Sequence, residues 1–189
     1  MANTTAAEPT RRDFLYIATG AAAAVGAALT AWPFIDQMNP SSAVLALASI
    51  EVDIASIQPG QSVTFKWRGH PLFVRRRTPK EIAESAAVPM SELKDPLARN
   101  ANLSESADAT DKNRATKPEW LVLVGVCTHL GCTPQASTVE VKQGDYGGWL
   151  CHCHGSQYDT AGRIRKGPAP ENLAVPPYSF VSATRLKVG

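Results

Sequence analysis

All four cysteines of this 189-residue chain and three of its four histidines fall in two hexapeptides, Cys127-Thr128-His129-Leu130-Gly131-Cys132 and Cys151-His152-Cys153-His154-Gly155-Ser156. Thiolates and imidazoles gathered this closely are the donor set of zinc or of iron and sulfur, and each stretch offers a Cys-His pair plus a spare cysteine. Two such pairs facing each other suit a two-iron centre. Any fold the chain adopts must bring these two loops together.

The residues around the loops have the texture of a mainly β protein. From Ile50 onward, short β-rich runs are punctuated by Gly and Pro: Ile50 to Ile54, Ser62 to Trp67 and Pro71 to Arg76. Their spacing predicts antiparallel sheet. Thr78 to Pro118 breaks this rhythm with a short helix expected over Pro79 to Ala87 and then a polar stretch, a small helix-loop insertion in the β framework. A strand over Trp120 to Val126 feeds the first loop. Another over Gly148 to Leu150 feeds the second, after the turn Asp145-Tyr146-Gly147-Gly148. Tyr178 to Ser182 and Thr184 to Val188 should close the sheet. The apolar content of 44% suffices for a core, and a net charge of +2 argues against a nucleic-acid surface. The run Arg75-Arg76-Arg77 reads as a solvated strand end. His70, beside Gly69 and Pro71, reads as a structural or surface histidine.

The N-terminal part has a different chemistry. Residues 1–13 are polar and end in Arg11-Arg12-Asp13, whereas Phe14 to Ile35 carries no charged side chain. As a helix, residues 14–35 would rise ~33 Å, which matches the ~30 Å hydrocarbon core of a bilayer. This predicts a single transmembrane helix, with Tyr16 and Trp32 near its interfaces, Pro33 close to its exit and the arginines holding residues 1–13 in the cytoplasm. A cleaved signal peptide is the competing expectation, because Ala46-Leu47-Ala48 has the small-x-small form of a cleavage site. The site lies far downstream of an apolar stretch longer than signal peptides carry, which favours a retained anchor. Residues 36–48, with Asn39-Pro40-Ser41-Ser42, read as a flexible tether or hinge to a head domain spanning 49–189.

The two hexapeptides resemble the paired boxes of the Rieske [2Fe-2S] family, Cys-x-His-x-Gly-Cys followed by Cys-x-Cys-His-Gly-Ser. The resemblance implies an antiparallel β-sandwich head with its cluster-binding subregion at about 120–177. It also implies one [2Fe-2S] cluster, held by Cys127 and Cys151 on one iron and by His129 and His154 on the other. Cys132 and Cys153 are then left over, and in an oxidising compartment they should form a disulfide between the loops. His152 stands where the family usually has proline and reads as an exposed loop residue. In the family's quinol-oxidising branch the matching serine and tyrosine hydroxyls donate to cluster sulfur, which gives Ser156 and Tyr158 the role of raising the potential. Leu130 would be an apolar cover, and Gly167-Pro168-Ala169-Pro170 a stiff loop on the other side.

A cluster assembled in the cytoplasm must cross the membrane in a folded domain, so Arg11-Arg12 is expected to belong to a twin-arginine signal. The implied activity is that of an electron-transfer subunit of a cytochrome bc complex in the cell inner membrane, with a periplasmic head. Such a subunit takes one electron from ubiquinol while His154, or else His129, accepts a proton, and it reduces a c-type haem. Its partners would be cytochrome b and c-type cytochrome subunits in a dimeric complex, with membrane lipid around residues 14–35. Three other readings share parts of the pattern. An arsenite oxidase small subunit would need no permanent anchor. A soluble ferredoxin or oxygenase component would usually lack the spare cysteines and the Ser156 and Tyr158 donors. A membrane-tethered structural zinc module would use two Cys and two His without redox chemistry.

Overall fold

The computed structural model describes residues 10–46 and 48–189, and the chain divides into two compact units after Leu45. Most of the expected cytoplasmic segment 1–13, and Leu47 of the Ala46-Leu47-Ala48 motif, lie outside the described residues. In the first unit, helix α1 (Arg11–Asp36) begins at a capping box. The Thr10 hydroxyl accepts the Asp13 N–H, and the Asp13 carboxylate accepts the Thr10 N–H at 2.8 Å, satisfying two of the amides that a helix start leaves free. This cap extends the helix beyond the expected 14–35, to a rise of ~39 Å. None of its residues is buried, and Phe14, Leu15, Ile17 and Leu29 each expose well over half their surface. An uncovered apolar rod of this length is suited to a bilayer. The segment read as a tether contains a short helix, α2 (Ser42–Ala46), whose first turn is supported by the Val44 N–H donating to Ser41 Oγ.

The second unit holds three small antiparallel sheets. Strands β1 (Ile50–Asp53), β10 (Arg185–Val188) and β9 (Tyr178–Phe180) pair in the order β1-β10-β9. Strands β2 (Ser62–Trp67), β3 (His70–Arg76) and β4 (Trp120–Val124) pair consecutively. Strands β5 (Gln135–Ala136), β6 (Gly147–Cys151), β7 (Ser156–Asp159) and β8 (Ile164–Lys166) form the third sheet. Sequence alternation located the first two sheets to within a residue or two. It missed β5, β7 and β8, which are two to four residues long and polar. Their existence depends on pairing, β5 and β7 with β6 and β8 with β7. The sheets share one core: Trp149 of β6 stacks on Phe73 of β3 with ring centroids 5.9 Å apart. Beside it, β6 and β7 approach so closely at Gly148 that an added Cβ would lie 2.0 Å from the Asp159 carbonyl oxygen.

The arginine run is not a solvated strand end. Arg75 and Arg77 are each only 2% exposed, and Arg76 between them faces outward toward Glu119. Strand periodicity puts residues i and i+2 on one face, and here that face meets carboxylates from the insertion. Arg75 pairs with Glu81 in the first turn of α3 (Pro79–Ala86), and Arg77 grips Asp111 at the start of α4 (Asp111–Arg114).

The same device holds the rest of the insertion. Arg163 binds Asp159, the Ala109 carbonyl and both oxygens of Ser85. Arg114, fully buried, donates to the carbonyls of Ala98, Ala161, Gly162 and Leu173, and burial pushes its guanidinium down to about 10. Between 87 and 118 the backbone has little regular structure to satisfy it, and these planar forks supply the missing donors.

Replacing Arg114 with Met would leave several buried carbonyls without donors. The substitution should cost ~3 kcal/mol or more, read as a lowered urea midpoint with the disulfide intact. Asp95 provides a pH test. Burial opposes its ionisation, but bonds from Arg99, the Asn172 N–H and the Leu97 N–H outweigh burial and hold its carboxyl below the usual range. Its contribution should be complete above pH ~4, where the unfolded-state carboxyl is ionised, and should be lost as pH falls through the depressed native value. Acid titration of Asp95→Asn should show a shallower loss of stability below that pH than the parent chain.

Candidate metal centre

The two loops are built alike. In the first, the Gly131 N–H donates to the Cys127 carbonyl at 2.9 Å; in the second, the Gly155 N–H donates to the Cys151 carbonyl at the same distance. Both glycines have positive φ, +82° and +75°, which lets each chain fold back over its cysteine. The first loop also closes on itself through the Cys127 N–H to the Cys132 carbonyl. The sulfurs of Cys132 and Cys153 are joined in a disulfide, which ties the loops to each other. These two cysteines lie near Cys151, the three sulfurs falling within 4.8 Å of one another, but the disulfide removes two of the three as metal ligands.

Four donors remain. Cys127 and Cys151 are free and buried, and His129 and His154 meet edge to face with ring centroids 4.6 Å apart. His129 Nδ1 is buried with no hydrogen-bond partner, an arrangement a bound metal would satisfy. Burial pushes the Cys127 thiol up, but bonds from the Tyr158 hydroxyl, the His129 N–H, Cys151 and Ser156 outweigh it, and the thiol lies below its ordinary range. Cys151 lies above its ordinary range, through burial and then its Cys127 neighbour. Two thiols on the inner side and two imidazoles on the outer side fit a centre of two metal ions of one kind in different ligand surroundings. His152 is exposed, as expected, and Leu130 is 70% exposed beside His129.

Several neighbours hold the sulfur side. The Tyr158 hydroxyl, fully buried, donates to Cys127 Sγ at 3.3 Å and accepts the Thr128 N–H. Burial, then this bond to Cys127, pushes the phenol up, so it stays a donor. Ser156 Oγ, buried on the other flank, accepts the Ala169 N–H at 3.1 Å. Gly167 at φ +99° packs so tightly that an added Cβ would lie 2.6 Å from Ser156 Cα. Thr128 Oγ1 donates to the Glu171 carbonyl and accepts its N–H. Sequence reasoning did not pick out Thr128 or the Ala169 amide. Their partners are 43 and 13 residues away, so no local pattern announces them.

A small β head whose loops present two buried thiols and two imidazoles defines a Rieske-type iron-sulfur protein. A family model for the Rieske [2Fe-2S] domain matches residues 50–178, and the chain belongs to that family, whose cofactor is a [2Fe-2S] cluster. A second model, described as a ubiquinol-cytochrome c reductase Fe-S subunit TAT signal, matches residues 1–41. The chain is similar to the ubiquinol-cytochrome c reductase iron-sulfur subunit of Rhodospirillum rubrum, 52% identical over 100% of this chain and 96% of that one. It is also similar to the subunit of that name from Cereibacter sphaeroides, 53% identical over 95% of each chain, and to that of Rickettsia conorii, 52% identical over 96% and 94%.

Cys132→Ser would open a cross-link spanning 21 residues. The expected result is a loss of ~3 kcal/mol of stability and faster loss of iron on dilution, read as decay of visible absorbance, with the cluster ligands untouched.

Proposed function

We propose that this chain is the electron-transfer subunit of a ubiquinol-cytochrome c reductase. The observation that carries this is the asymmetry of the centre: Cys127 and Cys151 are buried, with the Tyr158 hydroxyl on Cys127, while His154 and Leu130 stand exposed. The names of the relatives agree with it. In this reading Cys127 and Cys151 hold one iron and His129 and His154 the other. When bound, the [2Fe-2S] cluster supplies a one-electron acceptor.

The protein's own groups do the rest. The exposed ring of His154, or else the half-buried ring of His129, accepts the hydrogen bond and then the proton of the ubiquinol hydroxyl, with Leu130 as an apolar cover over the cluster. Tyr158 and Ser156 aim hydroxyls at sulfur and favour the reduced state. The Cys132–Cys153 disulfide keeps the two histidines side by side. The head then delivers its electron to a c-type haem. The partners are cytochrome b and a c-type cytochrome, in a dimeric complex. Residues 14–35 anchor the chain in the inner membrane, with the N-terminus cytoplasmic and the head periplasmic after twin-arginine export. Residues 36–48 connect the two and let the head move.

The test is a redox titration of the purified full chain at several pH values, followed by electron spin resonance of the reduced centre. The potential should be high and should fall as pH rises above neutrality, because electron uptake draws a proton onto a ligand imidazole. Tyr158→Phe should keep the signal and lower the potential. A low, pH-independent potential would point to a ferredoxin-like carrier, and a colourless protein with stoichiometric zinc to a structural module.

A further inference from the structure

The loop Gly167–Pro170 lies against Ser156 and has few means of holding itself there. Pro168 and Pro170 have no N–H, so the loop's interior offers Ala169 as its amide donor, and that donor goes to Ser156 Oγ. Its carbonyls at Gly167 and Ala169, each preceding a proline, both accept from Lys94 Nζ at 2.9 Å. One ammonium thus spans the loop from outside. Lys94 is itself held in place, because its neighbour Asp95 is buried and accepts the Asn172 N–H just beyond the loop, while Asn172 Nδ2 donates back to the Asp95 carbonyl. Ser156 Oγ uses a lone pair for Ala169, which leaves its own hydrogen free to donate toward the sulfur side of the centre, against which Ser156 is buried.

We propose that Lys94 is a positioning residue for the metal centre: by gripping both X-Pro carbonyls it holds the Ala169 amide on Ser156 and so aims the Ser156 hydroxyl at sulfur. This rests on Ser156 acting as a donor there. The polar segment around Lys94 then contributes to the redox chemistry of loops more than 30 residues away in sequence, without touching a ligand.

The experiment is a double-mutant cycle on the purified full chain, with the midpoint potential as readout and hydrogen exchange of the Ala169 amide alongside. Lys94→Met should shift the potential downward and speed exchange at Ala169, with the spin-resonance signal retained. Lys94→Arg, which keeps the charge and the donors, should stay close to the parent. In a Ser156→Ala background, Lys94→Met should produce no further shift. Should Lys94→Met not accumulate, Lys94→Gln, uncharged and too short to reach both carbonyls, makes the same comparison. A parent-like potential in the Lys94 variant, with Ser156→Ala lowered, overturns the role of Lys94 alone. An equal downward shift with and without Ser156 also overturns it, since the lysine would then act as a remote charge. An unchanged potential in Ser156→Ala overturns the serine's role and the proposal with it.

Discussion

A metal site asks a protein to keep donor atoms free of the partners they would otherwise take. His129 Nδ1 is buried without a hydrogen bond, and two thiols sit side by side inside the head. Left to itself, such an arrangement relaxes, because an unmet buried polar atom costs about 1–3 kcal/mol. The surrounding structure must therefore be stiffer than the loops it carries. Much of the head can be understood from this need: paired Cys-to-Gly turns, a disulfide across the loops, a buried tyrosine on one thiol and a proline-rich loop pressed against Ser156.

Stiffness in a head of this size does not come from its sheets alone, which are three- and four-stranded and share one core. It comes also from buried guanidiniums. Arg75, Arg77, Arg114 and Arg163 each reach several segments at once, and each joins the insertion to a strand or loop of the β framework. Arg163 is the most telling case, because its partner Asp159 ends β7, the strand that carries Ser156 and Tyr158. A buried ion pair adds little net stability when compared with apolar packing, yet removing one partner is costly. Such pairs act here as fixed geometry.

The insertion shows where sequence reasoning lost its grip. Its helix at Pro79 was expected from the sequence, and the structure starts it with a Thr78 to Glu81 capping box and the proline in its first turn. The polar residues after it looked like solvated loop, as did Arg75 to Arg77. Composition carries no record of whether a charge faces water or a partner 34 residues away, as Asp111 does for Arg77.

What the sequence determined by itself is the chemistry: ligand types at fixed local spacing, an uncharged stretch long enough for a bilayer, strands long enough to alternate, and the glycines that let each box fold back. These depend on neighbours within a few residues. Tertiary structure alone decided the short strands β5, β7 and β8, the inward turn of the arginines, and the contacts that carry Lys94 and Ala169 to Ser156. Each of these rests on hydrogen bonds whose partners no local pattern names, some across a tight hairpin such as Cys151 to Ser156 and some between segments far apart in the chain, so a donor's value depends on which acceptor folding brings to it.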